Sequence, residues 1–387
     1  MRIGIEGQRL FRKKKHGMDM VALELIKNLQ LIDKVNEYVI FVKPDEDDTC
    51  IPKAPNFKVV ELTSKFGYPG WEQWALPKAA FQEKCDVLHC TSNTGPLFSK
   101  VPLVTTLHDI IYLESISIFK KEGTWYQKLG NMYRRYFVPP VIKKSKKVIT
   151  VSNYEKKRIN KYFGFKDNRL QAIYNGVGEH FKKVTNTQTL QDIKEEFKLP
   201  NKFFFFLGNT DPKKNTIGVL KAFAEFNEFY PSQYYLVMLD YDENELQRIL
   251  NSIGKPELRA LIHLTGYVPN LKLPAIISQC TVFLYPSLRE SFGIPILEGM
   301  ACGVPVITSN TSAMPEVAGE DAAIIIDPFD SKAISNAMKT LVEDKVLVKV
   351  LAEKGIHRAK DFSWKIMAEK VRTLYEEVYD ELNLVEK

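Results

Sequence analysis

Tyr285-Pro286-Ser287-Leu288-Arg289-Glu290-Ser291-Phe292-Gly293-Ile294-Pro295-Ile296-Leu297-Glu298-Gly299-Met300 is the stretch whose reading decides the fold. Ahead of it, Thr281 to Tyr285 is β-branched and aromatic, the composition of a buried strand, and Pro295 suits the first position of a helix. Glu290 therefore falls at the carboxyl end of a strand. Between strand and helix, the backbone N–H groups of Ser291, Phe292, Gly293 and Ile294 lack a helical acceptor and point where a phosphate can bind. Gly293 lets a ligand approach closely. Glu298, expected inside the first helical turn, faces the same space from the helix side, where a carboxylate accepts hydrogen bonds from vicinal hydroxyls. One carboxylate suits a sugar and the other a ribose.

Similar strand and helix alternations extend in both directions. Short apolar runs recur at 1–6, 38–43, 58–62, 86–90, 103–107, 147–151 and 170–174, and a second series at 203–207, 234–239, 261–265, 281–285, 304–308 and 322–326. Each series implies an α/β unit with a doubly wound parallel sheet and its ligand edge at the carboxyl ends of the strands. Asn175-Gly176-Val177-Gly178 and the polar stretch 182–201 separate the two, which places a boundary near residue 180. Asp361-Phe362-Ser363-Trp364 opens a last helical segment. At 387 residues, two domains are the expectation.

The paired Glu290 and Glu298, separated by seven residues, continue into Ala301-Cys302-Gly303-Val304-Pro305-Val306-Ile307-Thr308-Ser309 and Met314-Pro315-Glu316-Val317-Ala318-Gly319. This extended run resembles family 4 of the glycosyltransferases, retaining sugar-nucleotide enzymes of the GT-B fold, and the resemblance covers nearly the whole chain. It implies two Rossmann-like domains facing a cleft: residues 1–180 for the acceptor and 181–362 for the nucleotide-sugar donor. Segment 363–387 is expected to cross back over the N-terminal domain.

The resemblance also assigns roles. The loop Gly208-Asn209-Thr210-Asp211-Pro212-Lys213-Lys214-Asn215 matches one whose lysine meets the donor diphosphate, here Lys214. Relatives carry an arginine where this chain has Asn209, so Lys213 or Arg289 is expected to share that load. Glu290 binds the sugar hydroxyls, Glu298 the ribose, and Ser291, Phe292, Gly293 and Ile294 the phosphates. Leu103-Val104-Thr105-Thr106-Leu107-His108-Asp109 resembles a strand ending in the histidine near the anomeric carbon, making His108 catalytic and Asp109 its orienter or an acceptor contact. Gly17, before the helix 18–29, matches a glycine loop that approaches the diphosphate, and Asp19 replaces a small residue on the acceptor side. Val268, in Tyr267-Val268-Pro269, lines the base pocket, where Asp240 can pair with guanine. Ser152 and Asn175-Gly176-Val177 match positions that look architectural.

The implied reaction transfers a hexose from a nucleotide diphosphate to a hydroxyl with retention, by a front-face displacement or through a covalent Glu290 intermediate. It needs neither metal nor cofactor, because Lys214, the helix-opening N–H groups and Gly17 supply the positive potential. Similar Pro-x-Lys-Asn sequences include mannosyltransferases of surface-polysaccharide assembly, so GDP-mannose is the expected donor, with a UDP-hexose as the alternative. A glycan or lipid-linked saccharide is the acceptor. A catalytically silent nucleotide-sugar-binding protein is the other reading, opposed by the presence of all four of His108, Lys214, Glu290 and Glu298. An NAD-dependent dehydrogenase is disfavoured because Gly4, Gly7 and Gly17 do not make a Gly-x-Gly-x-x-Gly turn.

An apolar content of 45% with 26% charged residues is that of a globular protein. Five cysteines without a Cys-x-x-C pair suggest neither a disulfide framework nor a zinc site, and fit a reducing cytoplasm. No apolar signal-peptide core or bilayer-spanning run is read. Charge is uneven: through His180 there are 30 Lys and Arg against 19 Asp and Glu, and the remainder has 24 against 28. In the basic half, Lys13-Lys14-Lys15, Lys120-Lys121, Arg134-Arg135 and Lys143-Lys144-Ser145-Lys146-Lys147 alternate with Trp125, Tyr126, Tyr133, Tyr136 and Phe137. Such a surface suits either an anionic membrane face, giving a peripheral cytoplasmic protein, or an ordinary solvated helix. No nucleic-acid-binding motif accompanies it.

Overall fold

The computed structural model describes residues 1–114, 125–166 and 168–385. The chain divides into two compact units, one formed by Met1–Asn175 with the helix Trp364–Val385, the other by Gly176–Ser363. In the first, β1 (Arg2–Glu6), β2 (Glu37–Val42), β3 (Phe57–Glu61), β4 (Val87–Cys90), β5 (Leu103–Thr106), β6 (Lys147–Thr150) and β7 (Leu170–Ala172) form a parallel sheet in the order β3-β2-β1-β4-β5-β6-β7. In the second, β8 (Phe203–Phe206), β9 (Tyr235–Met238), β10 (Ile262–Leu264), β11 (Val282–Tyr285), β12 (Val306–Ser309) and β13 (Ile324–Ile326) stand as β10-β9-β8-β11-β12-β13. Every run expected to be a strand is one, its ends correct to within two residues.

The central strands are apolar on both faces because helices cover both sides of a parallel sheet, whereas the edge strand β3 leaves Lys58, Val59 and Glu61 exposed. All four residues of β8, Phe203 to Phe206, are buried, with Phe204 and Phe206 packed in a cluster with Val219, Leu220 and Phe223 of the helix Thr216–Phe229. Winding direction reverses between β1 and β4 in one sheet and between β8 and β11 in the other. At such a reversal the flanking loops diverge and leave a crevice at the strands' carboxyl ends. Those two places govern the site.

Two expectations shift. The chain enters the second unit at Gly176 rather than near 180, since Val177 bridges to Ser363 and its N–H donates to the Phe362 carbonyl at 3.1 Å. The polar stretch read as a separator contains the helix Thr187–Glu196, capped by the Asn186 side chain and burying Ile193. Its single apolar anchor is too weak a periodic signal to stand out in the sequence. The last helix packs along the helix Gly17–Ile32 of the first unit, where the Tyr375 hydroxyl lies 2.6 Å from His89 Nδ1. The other ring nitrogen of His89 meets Thr106 Oγ1 at 2.8 Å, and burial drives its pKa down to about 3, so a neutral imidazole ties this helix to the sheet.

Candidate functional site

In the second unit, the loops after β8 and β11 are stapled to each other. The Leu288 N–H donates to the Lys213 carbonyl at 2.7 Å. Asn215, in the left-handed region at φ +62°, donates from its amide to the carbonyls of Pro286 at 3.1 Å and Pro328 at 2.7 Å. This fixes the short 3-10 turn Pro212–Lys214 and sends its two lysines in different directions. Lys213 is 44% exposed and lies 3.5 Å from Asp211. Lys214 is 16% exposed; its ammonium donates to Glu290 Oε1 and to the Tyr285 hydroxyl, each at 2.7 Å. Two of its three N–H bonds are thus used, and the third has no partner among the described residues. A partly buried pair is tolerable only with such close geometry, because desolvating both charges is costly.

The helix Ile294–Ala301 starts directly after Gly293, whose φ of +103° a side chain would strain. Gly293 offers no side-chain cap; Pro295 has no N–H and the Ile296 N–H donates to the Gly293 carbonyl at 3.0 Å, so the Ile294 N–H is the one placed to meet an anion. Gly299 allows the helix to lie close to the sheet, since a Cβ there would meet the Phe283 ring at 2.9 Å. Pro295 is the second helical residue rather than the first, and Glu298 the fifth, in the second turn rather than the first, because the helix begins at Ile294. Although part of Glu298 reaches solvent, the atoms packed around its carboxyl push its pKa up to about 7, against the opposing pull of Lys214. Tyr267 is exposed beside buried Val268, and the Asp240 N–H donates to the Gly266 carbonyl at 3.1 Å, joining the loops after β9 and β10.

In the first unit, a buried polar chain crosses the β1/β4 reversal. Glu6, the last residue of β1, accepts from the Thr91 hydroxyl at 3.0 Å and from the Gln8 N–H at 2.9 Å. The Thr91 carbonyl lies 3.0 Å from His108 Nε2, so that nitrogen carries the proton and Nδ1 keeps its lone pair. The His108 N–H donates to the side chain of Asn93, itself at φ +67°. Burial lowers the His108 pKa, keeping the ring neutral. Asp109 accepts from the Ile111 N–H at 3.1 Å.

Gly17 is the first residue of the helix rather than its predecessor, with open space where a Cβ would stand. Asp19 is buried at the third helical position, accepting from the His16 N–H at 3.0 Å and pairing with Arg9 at 3.1 Å. Its carboxylate closes a capping box, which explains a charge where a small residue was expected. Ser152 likewise caps the helix Asn153–Phe163. The sequence also has two Asp-x-Asp pairs: Asp47 is paired with Lys15 and Asp242 caps the helix Glu243–Ser252.

The basic cluster is divided. Lys147 is buried, its side chain 7% exposed, and it meets Glu381 at 2.9 Å and Glu377 at 3.3 Å, so it does not face solvent as expected. Lys143, Lys144 and Lys146 are exposed. Lys120, Lys121 and the side chains of Trp125 and Tyr126 lie outside the described residues. Sequence reasoning missed Tyr285, Thr91 and Glu6. For Glu6 a signal was present, a carboxylate directly after the apolar centre Ile3-Gly4-Ile5 of its strand; for Tyr285 and Thr91 there was none.

A family model described as Glycosyltransferase Family 4 matches residues 16–180, and one described as Glycosyl transferases group 1 matches residues 188–358. The chain is 28% identical over 368 residues to O-antigen chain mannosyltransferase B of Escherichia coli, covering 90% of this chain and 93% of that one. With the MMP alpha-(1->4)-mannosyltransferase of Mycolicibacterium hassiacum it shares 24% identity, covering 93% and 87%. Its match to the Escherichia coli serotype-specific mannosyltransferase WbdA takes in 56% of this chain and 27% of that protein. Among solved structures, Anabaena HepE in complex with UDP-glucose superposes with a TM-score of 0.75 at 18% identity, covering 97% of this chain and all of that one. Sucrose-phosphate synthase from Thermosynechococcus elongatus gives 0.74 at 19%, covering 98% and 99%. With both halves of the architecture matched in order and the GT-B fold shared along the whole chain, the protein belongs to the family 4 glycosyltransferases and is a glycosyltransferase enzyme.

Proposed function

We propose that the enzyme transfers mannose from GDP-mannose, with retention, to a saccharide or lipid-linked saccharide during surface-polysaccharide assembly. The observation that carries the chemistry is the Lys214–Glu290 pair at the β8/β11 reversal, beside an uncapped helix start. In this reading, the Ile294 N–H beside Gly293 meets the diphosphate, and Lys214 takes up charge on the leaving phosphate oxygen. Glu290, already anchored by Lys214, accepts from sugar hydroxyls rather than attacking carbon, and Glu298 accepts from the ribose. Arg289 and Lys213 lie close in sequence and supply further positive potential, and Val268 lines the base pocket. The incoming hydroxyl gives its proton to the departing phosphate oxygen as the new glycosidic bond forms on the same face. The first unit supplies the acceptor side, with the lone pair of neutral His108 as a hydrogen-bond acceptor.

Mannose and the biosynthetic setting rest on the named mannosyltransferases similar over most of this chain. The acceptor is reached from an anionic bilayer surface. Leu129, Met132 and Tyr136 of the helix Trp125–Lys144 are exposed at spacings of three and four, and Lys143 and Lys144 end the same helix. No helix among the described residues is long and apolar enough to cross a membrane.

The test is nucleotide release from GDP-mannose and UDP-glucose, with and without a lipid-linked oligosaccharide, followed by NMR assignment of the product anomer. Acceptor-stimulated GDP release with an α-linked product is expected. Release from UDP-glucose alone would move the donor to a UDP-hexose, and a β-linked product would overturn retention.

A further inference from the structure

A second polar pocket lies in the first unit, on the β2/β3 side of the β1/β4 reversal. A pocket of about 260 Å³ opens at the carboxyl ends of β1, β2 and β3, and its lining includes Gln8, Arg12, Lys43, Asp45, Ser64 and Tyr68. Loops at the carboxyl edge of a parallel sheet are where such units hold ligands. Gln8 is 7% exposed, and its buried side-chain oxygen has no hydrogen-bond partner among the described residues. A buried amide left unpaired is costly, and a ligand that completes it removes that cost. Arg12 and Lys43 have no ion-pair partner among the described residues, whereas the neighbouring Lys13 and Lys15 pair with Glu46 and Asp47.

Tyr68 is held from behind. Its hydroxyl donates to Glu72 at 2.7 Å, and that buried carboxylate also accepts from Tyr133 at 2.6 Å, Gln73 at 2.9 Å and Thr94 at 3.0 Å. Four donors on one carboxylate fix the direction of the Tyr68 proton, leaving the phenol oxygen as an acceptor. The segment carrying Glu72, Trp71–Ala75, is a π-helical turn, a rare local form that re-aims side chains. Trp71 holds it in place by donating to the Leu62 carbonyl at 2.9 Å.

We propose that this pocket binds a saccharide unit bearing one anionic group, phosphate or carboxylate, as part of the acceptor. The Gln8 amide, the Tyr68 oxygen and Asp45 match sugar hydroxyls, and two unpaired cations against one acid leave a single positive charge for the anion. The acceptor assignment rests on the transferase reading; the binding chemistry does not.

The experiment is calorimetric titration of the full chain with mannose 6-phosphate, glucuronate and mannose, without nucleotide. Either anionic sugar, or both, is expected to bind about tenfold more tightly than mannose, with the difference shrinking in high salt. The first two arms separate phosphate from carboxylate. Gln8→Leu is expected to lose about tenfold in affinity while keeping or raising Tm, because it removes an unpaired buried amide. Arg12→Ala is expected to abolish the preference over mannose. A lower Tm for Gln8→Leu with unchanged affinity would show a purely structural glutamine, and equal or absent binding of all three sugars would overturn the proposal. GDP titration of the parent and Lys214→Ala reports separately on the donor reading in the other unit, so either can fail alone.

Discussion

The two sheet reversals have the same topology and different polar groups. At β8/β11 the loops bring an ammonium against a carboxylate beside a helix start. At β1/β4 the carboxylate of Glu6 is occupied by groups of its own chain, and the neutral His108 is buried behind Thr91. One reversal sets an ammonium–carboxylate pair beside a helix start, whereas the other holds a carboxylate and a neutral imidazole already bonded to groups of their own unit. A parallel sheet fixes where a site lies, and the residues ending its two central strands decide what charge that site can accept.

The sharpest way to break this contrast is through the adjacent lysines. Lys214→Ala is expected to lower transfer by about 10²-fold or more, the scale for removing an electrostatic contact made to a developing charge. Lys213→Ala, at an exposed position paired among the described residues with Asp211 alone, is expected to cost far less. Measured kcat values with GDP-mannose decide it, and a more damaging Lys213→Ala would mean that the loop presents the other lysine to the donor.

The two glutamates divide the second unit more finely. Glu290→Ala is expected to depress kcat more than nucleotide affinity. Glu298→Ala should chiefly weaken GDP binding, by the roughly 1.5–3 kcal/mol of a charge-assisted hydrogen bond. Calorimetry with GDP alongside kcat separates the outcomes; equal affinity losses with intact turnover in both would contradict the assignment.

Glu298 also gives that unit a pH dependence. Its carboxyl, raised to about 7 by burial, is protonated in the free protein at pH 6 and ionised at pH 8. If the ionised form accepts from the ribose, GDP affinity rises with pH across that interval, by about tenfold at most for one proton released over one to two pH units. The stability sign is opposite: a raised carboxyl pKa favours folding below the unfolded value of 4.5, and that benefit is lost as pH rises through about 7. Glu298→Gln should flatten both trends, and an unchanged pH slope in the variant would remove Glu298 from the nucleotide site.

How legible each unit was follows from where its polar residues stand. The central strands were readable because a parallel strand covered on both faces is an unbroken apolar run, and edge strands such as β3, with Lys58 and Glu61 exposed, were readable from their place in the strand–helix alternation. Glu290, Gly293 and Glu298 were readable because they lie within nine residues of one strand–turn–helix segment. Lys214 needed the resemblance, since nothing local distinguishes it from Lys213. What separates them is a bond to Tyr285, 71 positions away. Glu6 and Thr91 meet across 85 positions, and Lys147 was misjudged because Glu377 and Glu381 come from the last helix. Local chemistry could be read; partners brought together only by folding could not.

The smallest effects belong to the surface of the first unit, where one run of lysines contains its own control. Lys143, Lys144 and Lys146 are exposed, and Lys144 lies 4.9 Å over the ring of exposed Phe98. Against an anionic bilayer each is worth about 1 kcal/mol, an attraction that weakens as salt shortens the screening length. Lys147 is turned inward onto Glu377 and Glu381, and has no charge to offer a headgroup. Replacing the first three with alanine should therefore release the protein from phosphatidylglycerol vesicles in co-sedimentation at low salt while leaving Tm and GDP binding unchanged. Lys147→Ala should do the reverse, lowering Tm by uncoupling the last helix and leaving vesicle binding intact. Binding that is absent or salt-insensitive in the parent protein would show that this face is merely solvated. Equal loss from Lys147→Ala would mean that the helix, not the cluster, carries the attachment.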